Sequence, residues 1–278
     1  MKKRTKVQKI IMSSSTDTEL LYVIKIGGNI VDHPDLLKQC LTAFSNIKGK
    51  AILVHGGGKM ATQFAKDLNI PQEIIEGRRI TDAETLKIVT MVYAGLINKN
   101  IVAQLQSLGV QAMGLSGADA NLIKAHKRAD ASIDYGFVGD VDEVNVSMIN
   151  HLLQQNTSLV IAPITHDGNG QLLNTNADTI AQSIATAMSE KYAVHLIYGF
   201  EKDGVLLDIK EPSSVLQHMN KDKYQTLKEE KVIFEGMIPK IDNAFLALEK
   251  GVKSVIIGKA EIMNELIHGN AGTTITQS

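Results

Sequence analysis

The chain is short of cysteine, and that settles two questions at once. Its single cysteine, Cys40, has no partner for an internal disulfide, and no Cys/His cluster carries zinc-site spacing. Tryptophan is absent and only 4% of residues are aromatic, so there is little to stack on nucleic-acid bases. Neither sign of charge is in excess, with 29 Lys and Arg against 30 Asp and Glu. A formal charge of −1 gives no electrostatic pull towards nucleic acid or an anionic membrane. No uninterrupted apolar run reaches the ~18 residues of a membrane span. The composition therefore excludes both as partners.

The first 20 residues, "MKKRTKVQKIIMSSSTDTEL", begin basic, but their apolar patch is only Ile10, Ile11 and Met12. That is too short for a secretory core, and no small-residue cleavage site follows. Residues 1–20 therefore read as a tail, with a short interaction helix at "KVQKIIM" as the alternative, and the expected compartment is the cytoplasm.

What is present is the material of a large core: 44% hydrophobic residues and 21% charged ones. Five short aliphatic runs, at 20–26, 50–56, 157–164, 193–199 and 252–258, are apolar nearly throughout, as in parallel strands covered on both faces. Amphipathic stretches lie between them. Residues 32–44 have Asp32 as a candidate cap, and residues 82–109 are long enough for one helix or two with a bend. Residues 176–189 open on a good cap, and residues 237–251 end on Gly251. Alternation of strand, glycine turn and helix predicts a doubly wound α/β fold with a mainly parallel sheet. If there are two lobes, the weak composition shift near 190 divides 21–190 from 191–278.

Ligands of such sheets gather beyond the carboxyl ends of the strands. Two glycine turns stand there, Gly27-Gly28-Asn29 and Gly56-Gly57-Gly58, offering backbone N–H groups to an anion such as phosphate. Neither matches the P-loop or dinucleotide pattern, and the protein-kinase motifs are absent. "HGGG" (55–58) also occurs in hydrolase oxyanion holes, but "GLSGA" (114–118) is no nucleophile elbow. Lys25 interrupts an otherwise apolar strand, an expensive position unless its charge is used, and Lys240 sits isolated in "FEGMIPKIDNAF". In "LLNTNAD" (172–178), Asn174, Asn176 and Asp178 alternate, which on an extended stretch turns all three to one face; capping is the alternative for Asn176 and Asp178.

"KIGGN", "VHGGGKM", "EGRRITD", "LLNTNAD" and "GMIPKI", in this order from about residue 21 to 275, resemble the N-acetylglutamate kinases of the amino-acid kinase family. The resemblance implies a three-layer αβα sandwich, with an acyl-amino-acid-binding lobe at 21–190 and an ATP-binding lobe at 191–278. It implies transfer of the γ-phosphoryl group of ATP, with Mg²⁺, to the γ-carboxylate of N-acetyl-L-glutamate in arginine biosynthesis. By the same resemblance, Lys25 and Lys240 fall on two transition-state lysines, with Gly27 and Gly28 beside them at the ATP phosphates. Asp178 falls on the aspartate that orients the lysines, and Gly28 and Gly57 on N–H donors to the moving phosphoryl group. Gly57, Gly58, Arg79, Asn174 and Asn176 line the acyl-amino acid, Arg79 and Asn174 at its α-carboxylate. No protein metal ligands are implied.

Four features depart from the pattern. Arg78 stands beside Arg79 where an apolar residue is usual. Gly199 replaces an aspartate near ATP, with Glu201 or Asp203 as candidate substitutes. The segments over the acyl group, 116–122 and 135–141, match loosely, which keeps an N-succinyl substrate as an alternative. The carboxyl-terminal tail lacks the fuller signature of arginine-inhibited members, which favours a homodimer over a hexamer. Carbamate, aspartate or glutamate kinase and a non-catalytic nucleotide sensor are the remaining alternatives. The Arg79/Asn174 pair speaks against the first three, and Lys25, Lys240 and Asp178 together speak against the sensor. His55 and Lys59 are expected to be a packing or turn residue and a solvent-exposed side chain.

Overall fold

A computed structural model describes residues 18–75, 78–129, 132–208, 210–211, 213–233 and 237–278. The proposed tail with its "KVQKIIM" helix (residues 1–17), the side chain of Arg78, and Gly236 of "GMIPKI" lie outside the described residues.

Eight strands form one sheet in the order His218–Met219, Thr273–Ile275, Ser254–Lys259, Ala193–Phe200, Leu20–Ile26, Lys50–His55, Ser158–Ile161, Ala112–Leu115. All neighbours pair in parallel except Ser254–Lys259 with Thr273–Ile275. The central strands are apolar on both faces because each face has its own core. Leu21, Val23, Ile52 and Val54 pack into one, while Ile24, Ile26, Ala51 and Leu53 pack into the other. Helices Ala177–Met188 and Ile238–Glu249 close the first core through Ile180, Ile184, Ile241 and Phe245. Helices Pro34–Ser45 and Ala83–Val89, with the turns that continue the latter, close the second through Leu41, Ile88, Ile97 and Ile101. These three layers are the expected sandwich. Strand parity then decides which side of the sheet each late residue faces: Lys25 follows Leu21 and Val23, whereas His55 follows Ala51 and Leu53.

The stretch at 82–109 forms a single helical run from Ala83 to Ser107, widened to π geometry at Thr90–Ile97. By length and composition it is also the one helix among the described residues that fits a membrane crossing. It nevertheless carries Glu84, Lys87 and Lys99, and buries Ile88, Val89, Val92, Ile97, Ile101 and Leu105 in the second core.

Two local expectations change. Asp32 does not cap helix Pro34–Ser45, whose N-cap is His33; it closes the short helix Gly28–Val31 instead. The apolar run at 157–164 divides between Ser158–Ile161 in the main sheet and Ile164–His166 in a second sheet. That four-stranded sheet runs Leu172–Asn174, Ile164–His166, Ile123–Lys127, Gly139–Val144, and a two-stranded ladder pairs Ile74–Ile75 with Arg78–Arg79.

Candidate active site

The two glycine turns leave neighbouring parallel strands at the same level, since Ile26 pairs with His55. Each turn opens a helix: Gly27 is the N-cap of Gly28–Val31 and Gly57 that of Gly58–Asp67. N–H groups of a first helical turn have no intrahelical acceptor and face an incoming anion. The turns also touch, with Gly56 N donating to Ile26 O at 2.9 Å. A Cβ on Gly28 would lie 3.4 Å from Gly58 N and 3.5 Å from Gly57 N, covering both donors, and one on Gly56 would lie 3.1 Å from Gly28 N. Behind the turn the π segment is packed tight. A Cβ on Gly57 would meet Ile97 Cδ1 at 2.3 Å and Tyr93 Cδ1 at 3.1 Å. At Gly57 glycine is demanded by the backbone as well, whose φ of +158° few side chains adopt.

The cations approach from the other face of the sheet. Lys25, only 9% exposed, places Nζ 2.7 Å from Oδ1 of Asp178 in the first turn of Ala177–Met188. Lys240, at the start of Ile238–Glu249, holds Nζ 3.8 Å above the centroid of Phe200, and Lys25 Nζ is 5.5 Å from the same ring. Burial holds the Lys240 amine below the ordinary lysine value. Asp178 and Glu201 oppose that shift and Lys25 adds to it. Two ammonium groups thus share one carboxylate and one aromatic face, a seat that desolvation and mutual repulsion would otherwise make unfavourable.

Two cavities meet at these groups. One, of about 410 Å³, is lined by Gly57, Arg79, Asn174, Asn176 and their neighbours. The other, of about 530 Å³, is lined by Gly27, Asn29, Phe200, Glu201, Met237 and Lys240 among others. Lys25, Gly28, Gly58, Lys59 and Asp178 belong to both walls. In the first cavity, Arg79 is 9% exposed and donates from Nη2 to Gly58 O and Thr62 Oγ1, each at 2.8 Å, and from Nη1 to Gln72 Oε1. Asn174 Nδ2 donates to Thr81 Oγ1 at 3.0 Å.

Lys25, Gly27, Gly28, Gly57, Gly58, Arg79, Asn174, Asn176, Asp178 and Lys240 come together at these cavities; Asp203 and His55 do not. The route differs for Asn174, Asn176 and Asp178, which the structure gathers without continuous alternation. Asn174 ends a strand, Asn176 caps the next helix by accepting from Asp178 N and Thr179 N, and Asp178 is already helical. Gly199 is tightly packed: a Cβ there would lie 3.0 Å from Met263 Cε and 3.1 Å from Ala260 Cβ, so a larger residue needs both to give by a few tenths of an ångström. Of the two candidate substitutes, Glu201 lines the 530 Å³ cavity and Asp203 does not.

Three residues were missed or undervalued. Lys59 is exposed as expected, yet it lines both cavities and its Nζ donates to Asn29 Oδ1 at 3.0 Å. Phe200 was not singled out, because only the fold brings it to Lys240. His55 is fully buried in a polar network rather than simply packed. Among the described residues no three His, Cys, Asp or Glu side chains converge as a metal site. Asp178 and Glu201 are the carboxylates lining the 530 Å³ cavity and are the side chains that could help hold a divalent cation there.

A sandwich built on a parallel sheet, with paired glycine turns and two lysines at its carboxyl edge, defines a phosphotransferase of the amino-acid kinase type. The chain belongs to the amino acid kinase family, whose model matches residues 21–259. Within it, the chain is 55% identical over 251 residues to an acetylglutamate kinase of Cytophaga hutchinsonii, covering 90% of this chain and 95% of that one. It is 35% identical over 243 residues to an acetylglutamate kinase of Methanopyrus kandleri, covering 86% and 95%. Among solved structures, N-acetylglutamate synthase of Neisseria gonorrhoeae with coenzyme A and N-acetyl-glutamate superposes with a TM-score of 0.79 at 20% identity, over 94% of this chain and 60% of that one. A carbamate kinase of Giardia superposes with a TM-score of 0.69 at 11% identity, over 95% and 100%. These two similarities concern the fold alone.

Proposed function

We propose that the chain phosphorylates the γ-carboxylate of N-acetyl-L-glutamate at the expense of ATP, a step of arginine biosynthesis. The observation that carries the reading is the shared wall of the two cavities, where Lys25, Gly28, Gly58 and Asp178 stand between a space walled by Arg79 and a space walled by Lys240. The relatives named acetylglutamate kinase support the same substrate.

The chemistry asks little in the way of proton transfer. A glutamate γ-carboxylate has a pKa near 4.3 and is already an ionised nucleophile at neutral pH, so no general base is needed. The obstacle is repulsion between two anions. ATP is the phosphoryl donor, and a Mg²⁺ ion, when bound, would supply charge screening of its oxygens. Lys25 and Lys240 bring positive charge to where negative charge spreads over the equatorial oxygens, and the N–H groups of Gly28 and Gly57 add donors that need no reorganisation. Arg79 and Asn174 hold the α-carboxylate, Asn176 starts the helix that carries Asp178, and Gly58 closes the wall beside the reacting carboxylate. Asp178 keeps the lysines from separating.

We further propose a cytoplasmic homodimer, as the sequence suggests, with light scattering in the presence and absence of arginine as the check. The function itself is tested by hydroxamate formation from ATP and N-acetyl-L-glutamate, with N-succinyl-L-glutamate as comparison. Faster hydroxamate formation from the acetyl substrate is expected. Absence of hydroxamate with both substrates would refute the kinase reading, and a preference for the succinyl substrate would change its acyl group.

A further inference from the structure

His55 lies on the opposite side of the loop from the lysines, fully buried, where the parity of its strand aims it at the helix Asn98–Ser107. Its ring makes two polar contacts: Nδ1 is 2.8 Å from Gly56 O, and Nε2 is 3.3 Å from Asn98 Nδ2. The donor in each is fixed by elimination. Lys99 Nζ, 3.0 Å from Asn98 Oδ1, can only donate, so that amide oxygen accepts; Val160 O, 2.9 Å from Asn98 Nδ2, can only accept, so the amide nitrogen donates. The second amide hydrogen then points at His55 Nε2, which must carry a lone pair. The ring proton is left on Nδ1, and it is donated to Gly56 O, itself only an acceptor. A second ring proton would face the Asn98 amide nitrogen with nothing to accept it, and burial favours the neutral ring as well.

We propose that His55 is a positioning residue for phosphoryl transfer: as a neutral imidazole protonated on Nδ1, it pins the Gly56 carbonyl and thereby aims the Gly57 N–H into the active cavity. The lever is the planar trans peptide. Its C=O and N–H point in opposite directions, so a carbonyl held back towards the core turns the following N–H outward. The inference rests on the reading of Gly57 N–H as a donor to the reacting oxygens. Losing one such donor outright costs on the order of 10²–10³ in rate, and tilting it costs part of that.

Three variants separate positioning from packing. In His55→Asn the amide nitrogen overlays Nδ1 and still reaches Gly56 O, whereas the longer side chain of His55→Gln reaches Asn98 and not Gly56 O. His55→Phe keeps the ring and loses both contacts. For variants shown by melting to be folded, kcat should fall roughly 10- to 100-fold in His55→Gln and His55→Phe, with both KM values nearly unchanged. His55→Asn should stay within a few-fold of the parent even if it melts lower. A wild-type kcat in His55→Gln, or an equal loss in His55→Asn, overturns the proposal. Should the variants not fold, ¹⁵N spectra of the wild-type ring decide it. A proton on Nδ1 alone is expected, and one on Nε2, or on both nitrogens at neutral pH, overturns it. The ring tautomer is read without any turnover, so a failed hydroxamate assay on the wild type counts against the proposed function and leaves this result standing.

Discussion

Lys25 Nζ and Asp178 Oδ1 are 2.7 Å apart, joining the central strand to the first turn of the helix that packs across it. Asp178 also raises the Lys240 amine against its desolvation, so one carboxylate serves two lysines. Asp178→Asn keeps the size and removes the charge. Turnover is expected to fall on the order of 10²-fold, with small changes in either KM, because the loss is felt where phosphoryl charge develops. Lys25→Ala and Lys240→Ala should each lose on the order of 10²–10³ in kcat, and near-normal turnover in either removes that lysine from the catalytic role.

Arg79 tests the other end of the substrate. Its guanidinium is held by Gly58 O, Thr62 and Gln72, so it is rigid before any ligand arrives. Arg79→Ala should raise the KM for the acyl-amino acid most, by roughly 10- to 100-fold, the worth of a charged hydrogen bond. Steady-state kinetics with each substrate varied in turn checks this. A loss confined to kcat would contradict the assignment.

Gly57→Ala tests a demand for glycine that comes from a backbone φ of +158° as well as from contact. The added methyl would sit 2.3 Å from Ile97 Cδ1, which must give way, and the φ of +158° strains any side chain there, so the loop relaxes and the N–H group moves with it. We expect kcat to drop by at least about 10-fold in a folded protein. Trimming the obstacle in Gly57→Ala/Ile97→Val should recover melting temperature more than turnover, since repacking does not restore the donor's aim.

The buried His55 makes stability depend on pH. Burial pushes its imidazole from 6.5 down to about 4. Between those values the unfolded chain takes up a proton that the folded chain refuses, so stability falls as pH drops from 6.5 to 4 and is steady above. The contribution reaches roughly 3 kcal/mol, at 1.36 kcal/mol per pH unit. Urea melts at pH 7 and pH 5 should differ by less in His55→Asn than in the parent. On the alkaline side, the depressed Lys240 amine of the free enzyme predicts that kcat/KM for ATP falls off at a pH below 10.5, as that ammonium loses its proton.

Much of this was legible in the sequence, for identifiable reasons. Strands buried on both faces cannot hide: "LLYVIKI" and "AVHLIYG" read as strands because both layers of helix demand apolar residues. Lys25 stood out because an ammonium in such a run is costly, and the glycines because they repeat at strand ends. By contrast, Gly139–Val144, "GDVDEV", belongs to a sheet that carries polar residues and gives no apolar run to read. Phe200 could not be assigned a role, since its partner Lys240 is 40 positions away and reaches its ring only in the folded chain. His55 was underestimated for the same reason: its meaning lies in Asn98, Lys99 and Val160, which only the π-widened helix and the neighbouring strand bring together.

The central claim is that a substrate carboxylate oxygen attacks phosphorus. It is tested most directly with N-acetyl-L-glutamate labelled with ¹⁸O in both γ-carboxylate oxygens, turned over with ATP and trapped with hydroxylamine. Hydroxylamine cleaves the acyl carbon–oxygen bond, so the released phosphate should carry one ¹⁸O taken from the carboxylate. Phosphate released without label would mean that water, and not the carboxylate, had received the phosphoryl group, and would contradict the account.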